Sequence, residues 1–89
     1  MLERDIVISN KLGLHARASA KLVQLLQNYK STVLLRCRGR EINAKSIMGV
    51  MMLAAGMGTP VTVRAEGADE AAALDAVTDL FARKFDEGQ

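Results

Sequence analysis

Apolar and polar residues alternate with two different periods along the 89-residue chain, and the switches between them mark out seven elements. From Arg4 to Ser9, Ile6 and Ile8 fall on one side and Asp5 and Val7 on the other, the period of a strand. Asn10 to His15 reads as a loop, with Gly13 allowing unusual backbone geometry. From Ala16 the period lengthens. Ala18, Leu22, Leu25, Leu26 and Tyr29 share one helical face, and Lys21, Gln24, Gln27 and Asn28 lie away from it, which predicts a helix ending near Asn28. Ser31 to Cys37 predicts a second strand. Arg38-Gly39-Arg40 reads as a turn, and Glu41-Ile42-Asn43 as the returning strand. Ser46 is a suitable N-cap for a short apolar helix over Ile47 to Ala54, because its hydroxyl can accept a bond from a free amide of the first turn. Gly56, Gly58 and Pro60 break that helix. Val61 and Val63 then alternate with Thr62 and Arg64 in a strand over Pro60 to Glu66. Asp69 is placed to cap a last helix with a buried stripe of Leu74, Val77, Phe81 and Phe85. Its early acids (Asp69, Glu70, Asp75) and late bases (Arg83, Lys84) suit the helix dipole.

The order is βαββαβα. It predicts an α/β (α+β) two-layer sandwich, a four-stranded antiparallel sheet with three helices on one face. No repeat, linker or low-complexity stretch divides it, so residues 1–89 are read as one domain.

Composition narrows the function classes. Apolar residues make up 49% of the chain, enough for a globular core, and without Trp that core is expected to be built from Leu, Val, Ile, Met and Ala. A net charge of +2 is too weak to argue for nucleic acid or a membrane surface. An RNA-binding sandwich would also need aromatic residues on its strands, and the predicted strands have none. The run from Ile47 to Met57 is too short to cross a bilayer, and no basic start followed by an apolar stretch marks a signal peptide. The single Cys37 fits a reducing compartment, and with a single His it cannot supply a protein zinc site, so a cytoplasmic protein with no metal or cofactor is expected.

Candidate chemistry centres on His15, the only histidine. It sits between a Gly-containing loop and the start of a helix. The first amides of a helix lack partners, and with the dipole they form an anion site. The backbone of Ala16 and Arg17 would cradle a phosphate there, beside an imidazole nucleophile that the positive helix end keeps uncharged. Arg17 adds a planar cation suited to phosphoryl oxygens. A phosphohistidine retains transfer potential, so the site would be a relay. By itself, a histidine at a helix start is more often an exposed or capping residue. No general base, metal cluster or phosphate-binding glycine loop before a lysine supports a self-sufficient hydrolase or kinase.

The string Gly13-Leu14-His15-Ala16-Arg17-Ala18-Ser19 and a second motif, Asn43-Ala44-Lys45-Ser46-Ile47-Met48-Gly49, resemble the histidine-containing phosphocarrier (HPr) family of the bacterial sugar phosphotransferase system and its nitrogen-branch relatives. The likeness runs along essentially the whole chain. It implies the open-faced β-sandwich fold and phosphorylation of His15 at Nδ1 by enzyme I, which draws on phosphoenolpyruvate. It further implies donation to an enzyme IIA domain, with Arg17 stabilising the moving group, by a stoichiometric carrier and not an enzyme. Ser46 matches the serine that HPr kinase/phosphorylase modifies from ATP in regulated members, where phosphoserine interferes with docking to enzyme I.

The chain departs from the family pattern at three places. Ala18 stands for a proline, Ser19 for an alanine at a helix start expected to be exposed, and Leu12 for an Asn or Ser that can bond the phosphate. Asn10-Lys11-Leu12-Gly13 looks like the nitrogen branch, whose output is mainly regulatory, whereas Lys45-Ser46-Ile47-Met48-Gly49 looks like kinase-controlled sugar-pathway members; both readings stay open.

A carrier needs one face for several partners. Ile47, Met48 and Met51 on the second helix, with Leu12 and Leu14 beside His15, are the expected apolar part of that face. Arg17, Lys21, Gln24 and Lys45 are the expected basic rim for an acidic partner surface. The bland alternatives are core packing for the apolar set and a solvated helix face for the polar one. The protein is expected to act as a monomer.

Overall fold

The computed structural model describes residues 1–87. Its elements are β1 (Leu2–Val7), α1 (Ala16–Leu26), β2 (Thr32–Cys37), β3 (Arg40–Asn43), α2 (Ile47–Met52), β4 (Pro60–Glu66) and α3 (Glu70–Ala82), followed by a short left-handed turn at Lys84–Asp86. One antiparallel sheet has the strand order β1-β4-β2-β3. The βαββαβα sandwich expected from the hydrophobic pattern is therefore the fold.

Alternation along the two central strands decides which face is covered. Val33, Leu35 and Cys37 of β2 and Val61, Val63 and Ala65 of β4 are buried, and they share one core with Leu22 and Leu26 of α1, Val50 of α2, and Leu74, Val77 and Phe81 of α3. The intervening positions carry Thr32, Arg36, Thr62 and Arg64 to the uncovered face. There Arg64 pairs with Glu3 of β1 at 2.7 Å and Glu41 of β3 at 3.2 Å, spanning the sheet. Arg38 and Gly39 both take positive φ (52° and 77°), the geometry of a two-residue turn whose twist matches the strands it joins.

Four expectations need correcting. β1 occupies Leu2–Val7, not Arg4–Ser9: the regular register stops at Val7↔Pro60, and beyond it Ile8 bonds the irregular segment before β4, donating to the Thr59 carbonyl at 3.0 Å and accepting from the Gly58 amide at 2.7 Å. Both α1 and α2 end about two residues early; their last amides fold back to carbonyls three residues before, as Tyr29 to Leu26 and Ala54 to Met51. Asp69 stands at the N-cap position of α3 but does not cap it. Its carboxylate accepts from the amides of Lys30 and Ser31, both at 2.9 Å, and from the Ser31 hydroxyl, tying the β4–α3 junction to the α1–β2 junction. Phe85 is buried as expected, yet it lies outside α3: the helix stops at Ala82, and Lys84, Phe85 and Asp86 take left-handed φ values of 55°, 56° and 61°.

Candidate functional site

His15 occupies the N-cap position of α1 with extended backbone (φ −76°, ψ −179°), and its ring makes no capping bond to the helix. Ser19 closes the first helical hydrogen bond onto the His15 carbonyl at 2.9 Å, which leaves the amides of Ala16, Arg17 and Ala18 without intrahelical partners at the end beside the ring. The Arg17 side chain is exposed and makes no hydrogen bond or ion pair among the described residues. Unpaired amides and a dipole's positive end thus follow one half-buried imidazole, with an exposed guanidinium two residues on in the chain, groups whose chemistry suits a dianion.

The loop before the ring is held from two sides. Gly13 has φ +66°, and a Cβ there would fall 2.4 Å from the Ala55 carbonyl oxygen, so the loop lies hard against the segment after α2. Leu14 donates its amide to that carbonyl at 2.9 Å. On the other side Ser19, expected to be exposed, is buried, and its hydroxyl donates to the Leu14 carbonyl at 3.2 Å. Leu14, expected on the docking face, is also buried. It is part of the core beneath the loop and is a packing residue, because the close approach of the loop to Ala55 turns its side chain inward.

Glu87 is the residue that the sequence pattern did not single out. One carboxylate oxygen lies 2.5 Å from Nε2 of His15, and the other accepts from Asn10 Nδ2 at 3.1 Å. Burial acts to raise the Glu87 carboxyl, but the hydrogen bonds from Asn10 and His15 and the nearby Lys21 charge outweigh it and hold the group below the ordinary 4.5. Asn10 is fully buried. Its second amide hydrogen goes to the Gly13 carbonyl at 2.8 Å, while its own Oδ1 has no partner among the described residues. Three consecutive left-handed residues deliver Glu87 to this position, at a cost of roughly 1–2 kcal/mol each. They are held by burial of Phe85, whose ring meets Phe81 edge-on at 4.8 Å, and by Lys21 Nζ, which donates to the Phe85 carbonyl at 2.6 Å.

The other expected residues divide into two groups. Leu12, Ile47, Met48 and Met51 are exposed, as are Met52 and Met57, which the sequence did not single out. Gln24 is exposed on α1, whereas the two rim lysines are half-buried and already bonded: Lys21 to Phe85, and Lys45 Nζ to the Tyr29 carbonyl at 2.7 Å. Ser46 caps α2, its hydroxyl oxygen accepting the Gly49 amide at 3.1 Å. Among the described residues no group of acidic, His or Cys side chains could hold a metal ion, and no helix is long and apolar enough to cross a membrane.

Three comparisons bear on this geometry. A family profile described as "PTS HPr component phosphorylation site" matches residues 2–83. Among curated proteins, the phosphocarrier protein HPr of Cupriavidus necator is 58% identical over 89 residues, covering 100% of both chains. The phosphocarrier protein NPr of Shewanella violacea is 43% identical over 86 residues, covering 97% of this chain and 94% of that one. Among solved structures, HPr of Thermoanaerobacter tengcongensis superposes with a TM-score of 0.94 at 44% identity, covering 98% of each chain. With a sequence match of this extent and the same fold, the chain belongs to the HPr phosphocarrier family of the phosphotransferase system.

Proposed function

We propose that this protein, as a single 1–89 domain, accepts a phosphoryl group on His15 from enzyme I charged by phosphoenolpyruvate and passes it to an enzyme IIA domain. The observation that carries the reading is the place of His15 at the N-cap of α1, before amides without intrahelical partners, with the exposed Arg17 two residues on. A phosphoryl group moving between two nucleophiles spreads charge over its oxygens, and preorganised amides and a guanidinium stabilise that charge without needing a base or metal. The exposed apolar residues Leu12, Ile47, Met48 and Met51 form the partner-docking face, with Arg17, Lys21 and Lys45 supplying positive charge around it and Gln24 a neutral polar contact. The protein works as a cytoplasmic monomer and meets each partner in turn.

The test is transfer itself. The protein is mixed with phosphoenolpyruvate, magnesium and cognate enzyme I, and acid-labile phosphate is followed by mass. The parent gains one phosphoryl group and His15→Ala gains none; equal labelling of the two would sink the reading. Offering the charged protein to sugar-pathway and nitrogen-pathway acceptors then separates the sugar carrier from the alternative, a nitrogen-branch carrier with regulatory output.

Ser46 supports a second layer. Its hydroxyl is exposed and accepts from Gly49, and a phosphate at a helix start is electrostatically tolerated. Modification there by a kinase using ATP would add negative charge next to Ile47 and Met48 without unfolding α2. Incubation with ATP and HPr kinase/phosphorylase should add mass to the parent and not to Ser46→Ala.

A further inference from the structure

We infer that Glu87 is a positioning residue for His15: its carboxylate accepts the hydrogen bond of Nε2–H and so fixes the ring tautomer in which Nδ1 carries the free lone pair. The inference rests on the reading of His15 as phosphoryl acceptor and names what selects the reactive nitrogen.

A carboxylate can only accept hydrogen bonds, so at 2.5 Å from Glu87 the Nε2 atom must be the donor. A neutral imidazole has a single N–H, which leaves the lone pair on Nδ1. Nothing in the helix competes for that lone pair, because the ring makes no capping bond. The carboxylate is itself held in place. Asn10 Nδ2 binds its second oxygen at 3.1 Å and binds the Gly13 carbonyl at 2.8 Å, so one buried amide couples Glu87 to the loop that carries His15. The left-handed turn at Lys84, Phe85 and Asp86 is a disfavoured path for a chain end, yet Phe85 is fully buried and Lys21 grips its carbonyl. A turn so disfavoured persists only where its surroundings over-determine it.

The chemistry follows from that arrangement. The Nδ1 lone pair attacks phosphorus, and the bond between phosphorus and the donor's leaving atom breaks, its electron pair going to that atom. The ring then bears a phosphoryl group on Nδ1 and a proton on Nε2, with one positive charge shared over the imidazole. Glu87 neutralises that charge. When the acceptor attacks, the P–N bond breaks and its pair returns to Nδ1, restoring the starting tautomer.

Nitrogen-15 NMR of the His15 ring tests this at a pH where the ring is neutral. The parent is expected to show protonated Nε2 and unprotonated Nδ1. Glu87→Ala should relax towards a mixture of tautomers. Glu87→Gln makes a sharper case: Asn10 presents a donor, so the glutamine carbonyl turns to it and its NH2 faces Nε2. The proton then moves to Nδ1, and phosphorylation should slow by about tenfold or more because the wrong nitrogen is free. A parent ring protonated on Nδ1, or ring shifts unchanged in both variants, would overturn the inference. The NMR measurement needs no phosphoryl transfer. If the parent cannot be phosphorylated on His15, the carrier reading falls, while the ring spectrum still decides the role of Glu87.

Discussion

Nε2 of His15 and a carboxylate oxygen of Glu87 lie 2.5 Å apart although 72 positions separate them in the chain. The contact ties the chain beyond α3 to the start of α1. The same turn brings Lys21 to the Phe85 carbonyl, so the face of α1 behind the site is tied to the chain beyond α3. His15 is thereby presented on a fixed frame, one ring nitrogen engaged and the other offered.

Arg17 should matter to transfer and not to stability. It is exposed and bonded to nothing among the described residues. Arg17→Ala is expected to slow phosphorylation of His15 by about 10²–10³-fold, the usual loss when one preorganised charge-stabilising donor is removed. Rapid-quench labelling with enzyme I measures the rate, and an unchanged thermal midpoint would show that the fold is intact.

Met48 is 67% exposed, so replacing it should leave the core alone. Met48→Glu puts a charge into the apolar part of the docking face. The expected outcome is a rise of about tenfold or more in Kd for enzyme I, corresponding to the ~1–2 kcal/mol of a well-used interface residue. Titration of labelled protein by NMR would measure it, and an unchanged Kd would remove Met48 from the interface.

Gly13→Ala should destabilise the protein. The position has φ +66°, and the new Cβ would meet the Ala55 carbonyl oxygen at 2.4 Å, where backbone must give way. A loss of roughly 1–3 kcal/mol is expected from the strained backbone alone. That corresponds to a fall in Tm on the order of 5–20 °C for a domain this size. Calorimetry decides it. His15 phosphorylation should slow in parallel, because the same loop carries the ring.

Asp69 should set part of the acid sensitivity. Hydrogen bonds from the Ser31 hydroxyl and the Lys30 and Ser31 amides hold its carboxyl at about 2, below the ordinary 3.8. A carboxyl depressed on folding stabilises the native state above its unfolded value, and that contribution disappears as pH falls through the folded one. Urea midpoints should therefore drop between about pH 4 and pH 2, and the drop should be shallower in Asp69→Asn, whose side chain does not titrate. Parallel curves for the two proteins would show that the Asp69 carboxylate contributes nothing.

The order of elements was legible in the sequence because each carries its own period and its own punctuation. Val61 and Val63 alternate with Thr62 and Arg64, Leu22 and Leu26 repeat a turn apart, and Ser46 marks the start of α2, all within a few residues of the structure they form. The position of His15 at the start of α1 was legible for the same reason, since a loop and a helix start are local features. Exposure was less so. Leu14 and Ser19 lie within four residues of His15, yet both are buried, because the Gly13 backbone comes against Ala55 from a distant part of the chain.

What tertiary structure alone decided lies in long-range contacts with no local signature. Asp69 has the sequence setting of a helix cap, but packing brings Ser31 within reach of its carboxylate and the cap is not made. Phe85 continues the apolar stripe of α3, but the helix ends and a left-handed turn buries the ring by another path. Glu87 follows from neither periodicity nor motif. The sequence by itself determined that its single imidazole stands at a helix start, which is a local fact. Folding decided which of its nitrogens is engaged, because that depends on a carboxylate brought from the far end of the chain.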